Sequence, residues 1–116
     1  MAAAPSSTTW AVTLSDTSNS WASGALVVDS NGGGTYKGNN NTVTWDSSST
    51  IGWSVTVPHG GQNCTLVFSG GVISGTAPHQ SMSGNGPTIS CSGTPGSGND
   101  TWSASETSMD PGKPGY

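Results

Sequence analysis

The chain has 116 residues, only 7% of them charged, with a formal net charge of −4, two lysines (Lys37 and Lys113) and no arginine. A length of this order makes one domain. Without a basic patch to neutralise phosphates or a polybasic segment to meet anionic lipid, nucleic acid and charged membrane surfaces are excluded as expected partners.

Residues 1–7 read as a flexible N-terminal segment, in which Met1-Ala2-Ala3-Ala4-Pro5 has the look of an initiator Met fused to a mature, exported start. A single domain is expected over residues 8–109. Trp10, Val12 and Leu14 alternate and share one face. A short apolar run follows over Gly24 to Val28, and then Thr35-Tyr36 and Val43-Thr44-Trp45. The clearest alternation runs from Ile51 to Val57, with Ile51, Trp53, Val55 and Val57 on one side. Cys64, Leu66 and Phe68 continue it, as do Ile89 and Cys91; Val72-Ile73 and Thr101-Trp102-Ser103 complete the expected strands. Turns are expected at Asp29-Ser30-Asn31-Gly32, Asn39-Asn40-Asn41, His59-Gly60-Gly61, Ser69-Gly70-Gly71, Gly84-Asn85-Gly86-Pro87 and residues 95–100. Residues 110–116 read as a flexible tail or a linker stub.

This pattern predicts an all-β domain: a small antiparallel β-sandwich or up-and-down barrel of about seven to nine short strands. Val, Ile, Leu and Phe supply only about an eighth of the residues, so the core is thin and leans on the five tryptophans. Cys64 and Cys91 are the only cysteines. They are expected to form one disulfide, within the core or between two facing sheets. On chain-entropy grounds it would stabilise by ~3–4 kcal/mol. No apolar run approaches the ~18 residues of a membrane span, so no membrane insertion is expected. Composition and disulfide together point to a secreted, extracellular protein.

Trp10, Trp45 and Trp53 alternate with aliphatics and are expected in the core. Trp21 and Trp102 sit among small polar residues, and Tyr36 lies between Thr35 and Lys37. These three are the candidate platforms, because an aromatic face stacks on the apolar C–H face of a sugar ring. Asn39, Asn40 and Asp100 are the candidate partners for sugar hydroxyls. His59 and His79 both follow a proline and are expected to be exposed loop residues; two such ligands rarely hold a metal tightly, and none is expected. Asp29-Ser30-Asn31-Gly32 opens like a calcium loop but lacks the closing glutamate. No G-x-S-x-G elbow occurs and the carboxylates are scattered singly, so no catalytic residues and no cofactor are expected.

Several fragments resemble the avidin–streptavidin family in order along the chain: Thr9-Trp10 with Leu14, Gly34-Thr35-Tyr36, Ile51-Gly52-Trp53-Ser54-Val55, Phe68-Ser69-Gly70, Ser92-Gly93-Thr94 and Trp102-Ser103. The resemblance implies an eight-strand meander. Tyr36 and Asp110 match polar ligand contacts of that family. Its ligand site also needs a cage of tryptophans at strand ends, and here the matching positions carry Val57 and Phe68, with nothing aromatic near Cys91. The resemblance is therefore read as a shared strand pattern, and biotin binding is not expected.

The expected function is a lectin-like or carbohydrate-binding domain for a polysaccharide or other neutral glycan, using Trp21, Tyr36, Asn39, Asn40, Asp100 and Trp102. The alternatives are a barrel holding a small apolar ligand, and a non-catalytic structural or interaction protein such as a filament subunit, surface protein, inhibitor or effector.

Overall fold

The structure is a computed structural model that describes residues 3–92 and 100–107. Strands β1 (Thr8–Leu14), β2 (Gly24–Val28), β3 (Gly34–Tyr36), β4 (Thr44–Trp45), β5 (Ile51–His59), β6 (Gln62–Gly71), β7 (Ser81–Cys91) and β8 (Thr101–Thr107) form one antiparallel sheet. A short 3-10 turn, Thr17–Ala22, lies between β1 and β2. The order is β3-β2-β1-β8-β7-β6-β5-β4, so each strand pairs with its neighbours in sequence except β3 with β4, which form the two edges, and β1 pairs with β8. The two remaining edges also approach each other. Thr35 bridges Thr42, the Val43 N–H donates to the Gly34 carbonyl at 2.9 Å, and the Tyr36 N–H donates to the Asn41 carbonyl at 2.9 Å. The result is a nearly closed up-and-down barrel, the second of the two architectures expected.

Strand alternation decides what enters the lumen. On β5, Ile51, Trp53, Val55 and Val57 are buried while Thr56 is exposed. On β6, Cys64, Leu66 and Phe68 are buried and Val67 is not. An eight-stranded barrel has a lumen just wide enough for side chains to fill, and here aromatic rings fill it. Trp53 stacks on Phe68 with ring centres 4.5 Å apart and planes 16° from parallel. Trp102 meets Trp53 edge-on at 5.1 Å, and Tyr36 meets Phe68 at 5.3 Å. Offset stacks and edge contacts of this kind are the favoured aromatic geometries.

Two expected turns are strand interior instead. Ser69-Gly70-Gly71 ends β6, and Gly84-Asn85-Gly86-Pro87 lies within β7. The reason is Trp102. A Cβ on Gly71 would stand 2.8 Å from its ring. A Cβ on Gly84 would stand 2.8 Å from the same indole and collide with the Ser69 carbonyl. Both glycines make space for a ring, not a chain reversal. The pairing of β6 with β7 steps from Val67–Thr88 to Ser69–Asn85, so Gly86 and Pro87 together oppose Phe68 in a bulge. Proline is tolerated there because the ladder needs no donor from it.

The expected strand at Val72-Ile73 is part of a connection. It carries only an isolated bridge, Ser74 to Ser81, and Val72 is 66% exposed. Cys64 and Cys91 form the expected disulfide, and they face each other directly in register on β6 and β7. The bridge thus ties neighbouring strands of the single sheet that the described residues form. The expected tail at residues 110–116 and most of the turn at 95–100 lie outside the described residues.

Gly84→Ala is expected to destabilise the fold by about 1–3 kcal/mol through overpacking against Trp102. Thermal or denaturant unfolding reads this directly. Ser83→Ala, at the neighbouring outward position, should change little, and equal losses for both variants would refute the role given to Gly84.

Candidate functional site

In a meander barrel, alternate connections share an end. The links β1–β2, β3–β4 and β5–β6 and the start of β8 lie at one end, called the upper end here, with Trp21, Asn39 and Asn40 in the links, His59 at the end of β5 and Asp100 just before β8. The 3-10 turn begins at Asp16. Its carboxylate accepts from the Ser18 backbone N–H at 2.9 Å, the Ser18 hydroxyl at 2.6 Å and the Asn19 amide at 2.8 Å. These bonds, led by that of the Ser18 hydroxyl, hold the Asp16 carboxyl below its ordinary 3.8. The turn delivers Trp21, which is half-buried and packs against the core. Its ring stacks on His59, with centres 3.7 Å apart and planes within 6° of parallel. His59 ends β5 and is the more exposed member of the pair.

The connection between β3 and β4 is tied to the same turn. The Tyr36 hydroxyl donates to the Ala22 carbonyl at 2.6 Å, and the Lys37 ammonium donates to the Ser23 carbonyl at 3.0 Å. Asn41 closes the loop by donating to the Lys37 carbonyl at 3.1 Å. Asn39 and Asn40 project beyond these anchors and are exposed. Asn40 and Asn41 also border a depression of about 320 Å³ that continues over Thr42, Thr44, Ser54, Thr56 and Thr65. A second and larger depression, about 550 Å³, runs over Thr13, Ser15, Ser83, Asn85, Thr101 and Ser103 on the outer wall. Neither is lined by a charged residue. Both offer hydroxyl and amide groups able to donate and accept.

Three of the six residues read from sequence as a site do other work. Tyr36 is 0% exposed, and burial pushes its phenol pKa up. Trp102 is 1% exposed and its indole N–H is shared by the Ser69 and Asn85 carbonyls at 3.1 and 3.0 Å. Neither can be a surface platform. Trp102 belongs with Ala104 to the inward face of β8, a two-residue alternation hidden by the Gly/Ser-rich stretch before it. Asp100 is half-buried. One carboxylate oxygen accepts from the Ser15 hydroxyl, from the Asp16 N–H at 2.9 Å and from the Thr101 N–H at 2.8 Å. These bonds pin the end of β1 to the start of β8, and the other carboxylate oxygen is buried without a partner. Trp21, Asn39 and Asn40 remain available at one end. His59 joins them, a residue the sequence marked only as a loop histidine. Its signal was the Pro58-His59-Gly60-Gly61 reversal, which places it beside whatever caps that end of the barrel.

Asp29 accepts from the Asn31 and Gly33 backbone N–H groups at 2.8 and 3.0 Å, so the calcium-like tetrapeptide is a hydrogen-bonded turn. Among the described residues no group of three or more His, Cys, Asp and Glu is placed to hold a metal. No family model matches the chain, and no curated protein or solved structure matches it either.

The Asp16 cap carries a pH dependence. Its folded-state pKa is depressed, so its contribution is present above the ordinary aspartate value and lost as the pH falls through the lower, folded one. Acidification below about pH 4 should therefore loosen the turn and alter Trp21 emission before the barrel unfolds. Asp16→Asn should remove that acid step while leaving near-neutral emission close to that of the native protein.

Proposed function

We propose that the protein is a secreted, non-enzymatic carbohydrate-binding domain that recognises a neutral glycan at the upper end of the barrel. The observation that carries this reading is the Trp21–His59 stack, an aromatic surface held at an end where amides and hydroxyls are the neighbouring polar groups. The apolar C–H face of a pyranose packs on such a surface, and its hydroxyls need both donors and acceptors around it. Asn39 and Asn40 supply both, and the depression bordered by Asn40 extends that supply along Thr42, Thr44, Thr56 and Thr65. Charge supports a neutral ligand. The only lysine among the described residues, Lys37, is engaged with Ser23, and the chain is net negative. The disulfide and the lack of any helix long and apolar enough to cross a membrane among the described residues are in keeping with secretion.

The small-ligand alternative, with the molecule held inside the barrel, meets a lumen occupied by Trp53, Phe68 and Trp102. No observation favours the structural or interaction alternative.

Binding is tested by depletion on insoluble polysaccharides and by tryptophan emission with soluble ones. One glycan should deplete the protein and shift its emission to the blue. Trp21→Ala should abolish both effects and, because Trp21 is only half-buried, lower the melting temperature far less than loss of a lumen ring. Trp102→Ala should instead cost about 3–5 kcal/mol of stability. Undiminished binding by Trp21→Ala would sink the proposed site, and no binding across the panel would sink the function.

A further inference from the structure

We propose that the barrel wall carries a second binding cleft, for a neutral monocyclic carbonyl compound whose oxygen accepts a hydrogen bond from the Trp53 indole. The cleft measures about 360 Å³ and lies over the β4–β5–β6 wall, lined among others by Thr44, Trp45, Trp53, Ser54 and Val67. It adjoins the depression bordered by Asn40, with which it shares Thr44 and Ser54, and it includes none of Trp21, Asn39, Asn40 and His59.

Two observations converge. The first is an orphan donor. Trp53 is 1% exposed and its Nε1 finds no hydrogen-bond partner, whereas three other indoles of the barrel have one. Trp10 donates to the Thr8 hydroxyl at 2.8 Å, Trp45 to the Gly32 carbonyl at 2.9 Å, and Trp102 to two carbonyls. A buried N–H left without an acceptor is costly and calls for a specific reason. A water there would have to reach the Thr44, Ser54 or Asp46 groups that line the cleft to complete its two to four polar partners. The rings packed on Trp53 belong to Phe68, Trp102, Trp45 and Tyr36, and the Tyr36 hydroxyl is already committed to Ala22. A molecule that brings its own acceptor on an apolar body fits that surrounding better.

The second observation is a thin wall. β4 has only two residues, and the pairing of β5 with β6 is irregular between Ile51 and Trp53. Gly52, at that irregularity, lies against β6, where a Cβ would stand 2.6 Å from the Phe68 carbonyl oxygen, so the wall is thin on its β4 side. Trp45 is half-buried and meets Trp53 edge-on at 6.2 Å, so it is the cover that moves when a ligand enters. The Thr44 and Ser54 hydroxyls stand at the rim. Asp46 also lines the cleft and no cation does, which disfavours anionic ligands.

The test uses the indole ¹⁵N–¹H spectrum of the whole chain, with cyclohexanone as probe and cyclohexanecarboxylate as the anionic control. The Trp53 resonance is assigned by through-space contacts to Phe68 and Trp102 and checked with Trp53→Phe. Cyclohexanone should move the Trp53 N–H downfield saturably, the carboxylate should not, and Val67→Glu, at a 42%-exposed wall position, should abolish the response. A Trp53 N–H that stays unmoved up to the solubility limit overturns the proposal, as does a response that persists in Val67→Glu. A glycan that moves Trp21 supports the upper-end site alone, and a failure of cyclohexanone to move Trp53 overturns this cleft alone, so the two readings fail separately.

Discussion

The packing of Trp102 across β6 and β7 is the constraint from which most of the barrel follows. A ring of that size can lie against two strands only where they present no Cβ, and Gly71 and Gly84 meet that condition. Once seated, Trp102 gives its N–H to carbonyls on both strands, next to the bulge at Gly86-Pro87. Its edge then sets the position of Trp53, and Trp53 sets that of Phe68 and Trp45. Aliphatic residues are scarce in this chain, so a lumen built this way depends on a few large rings in fixed mutual orientation. The interior tolerates no loss of one ring without a large cavity beside the others.

That filling has a consequence for function. A lumen occupied by the protein's own rings leaves the ends and the outer wall as the places where another molecule can bind. The outer wall is dominated by serine and threonine. Thr13 meets Ser103 and Thr56 meets Thr65, each pair at 3.1 Å between hydroxyl oxygens across neighbouring strands. Such pairs stabilise the sheet a little, and they keep the exterior polar with almost no charge. The upper end differs because the 3-10 turn brings an indole there, and because Tyr36 and Lys37 fasten the asparagine loop to that turn.

The alternation of Ile51 to Val57 and of Cys64 to Phe68 was legible because an apolar side chain recurs at every second position in both segments. The disulfide was legible from two cysteines in a small, thinly cored chain. The choice of barrel over sandwich was not, since it depends on β1 meeting β8 and on β3 approaching β4, contacts between residues far apart in sequence. Glycine misled in a specific way. Gly71 and Gly84 read as turn formers, and nothing local reveals a ring arriving from β8. The same blindness affected Trp102 and Tyr36. Their polar neighbours are outward strand residues, and alternation assigns the rings inward, but strands this short give the period little to establish itself. Asp100 read as an exposed hydroxyl partner because its backbone clients, Asp16 and Thr101, can be named only once β1 and β8 are paired.

The two-residue β4 shows how a fold with so full an interior can still open from the side. Trp53 pairs in register with Phe68 on one side and with Trp45 on the other, so the seam between β5 and β6 is closed at its level. Toward β4 the wall is short, and Trp45 is left as the main covering group. Gly34 accommodates Trp45 from the other side: a Cβ there would stand 2.7 Å from Val43 and 3.0 Å from the Trp45 ring. The wall is therefore weakest where the ring behind it keeps an unused donor. A sheet that needed only stability would have closed this gap with a longer β4, or replaced Trp53 by phenylalanine, which stacks on Phe68 as well and leaves no N–H to satisfy.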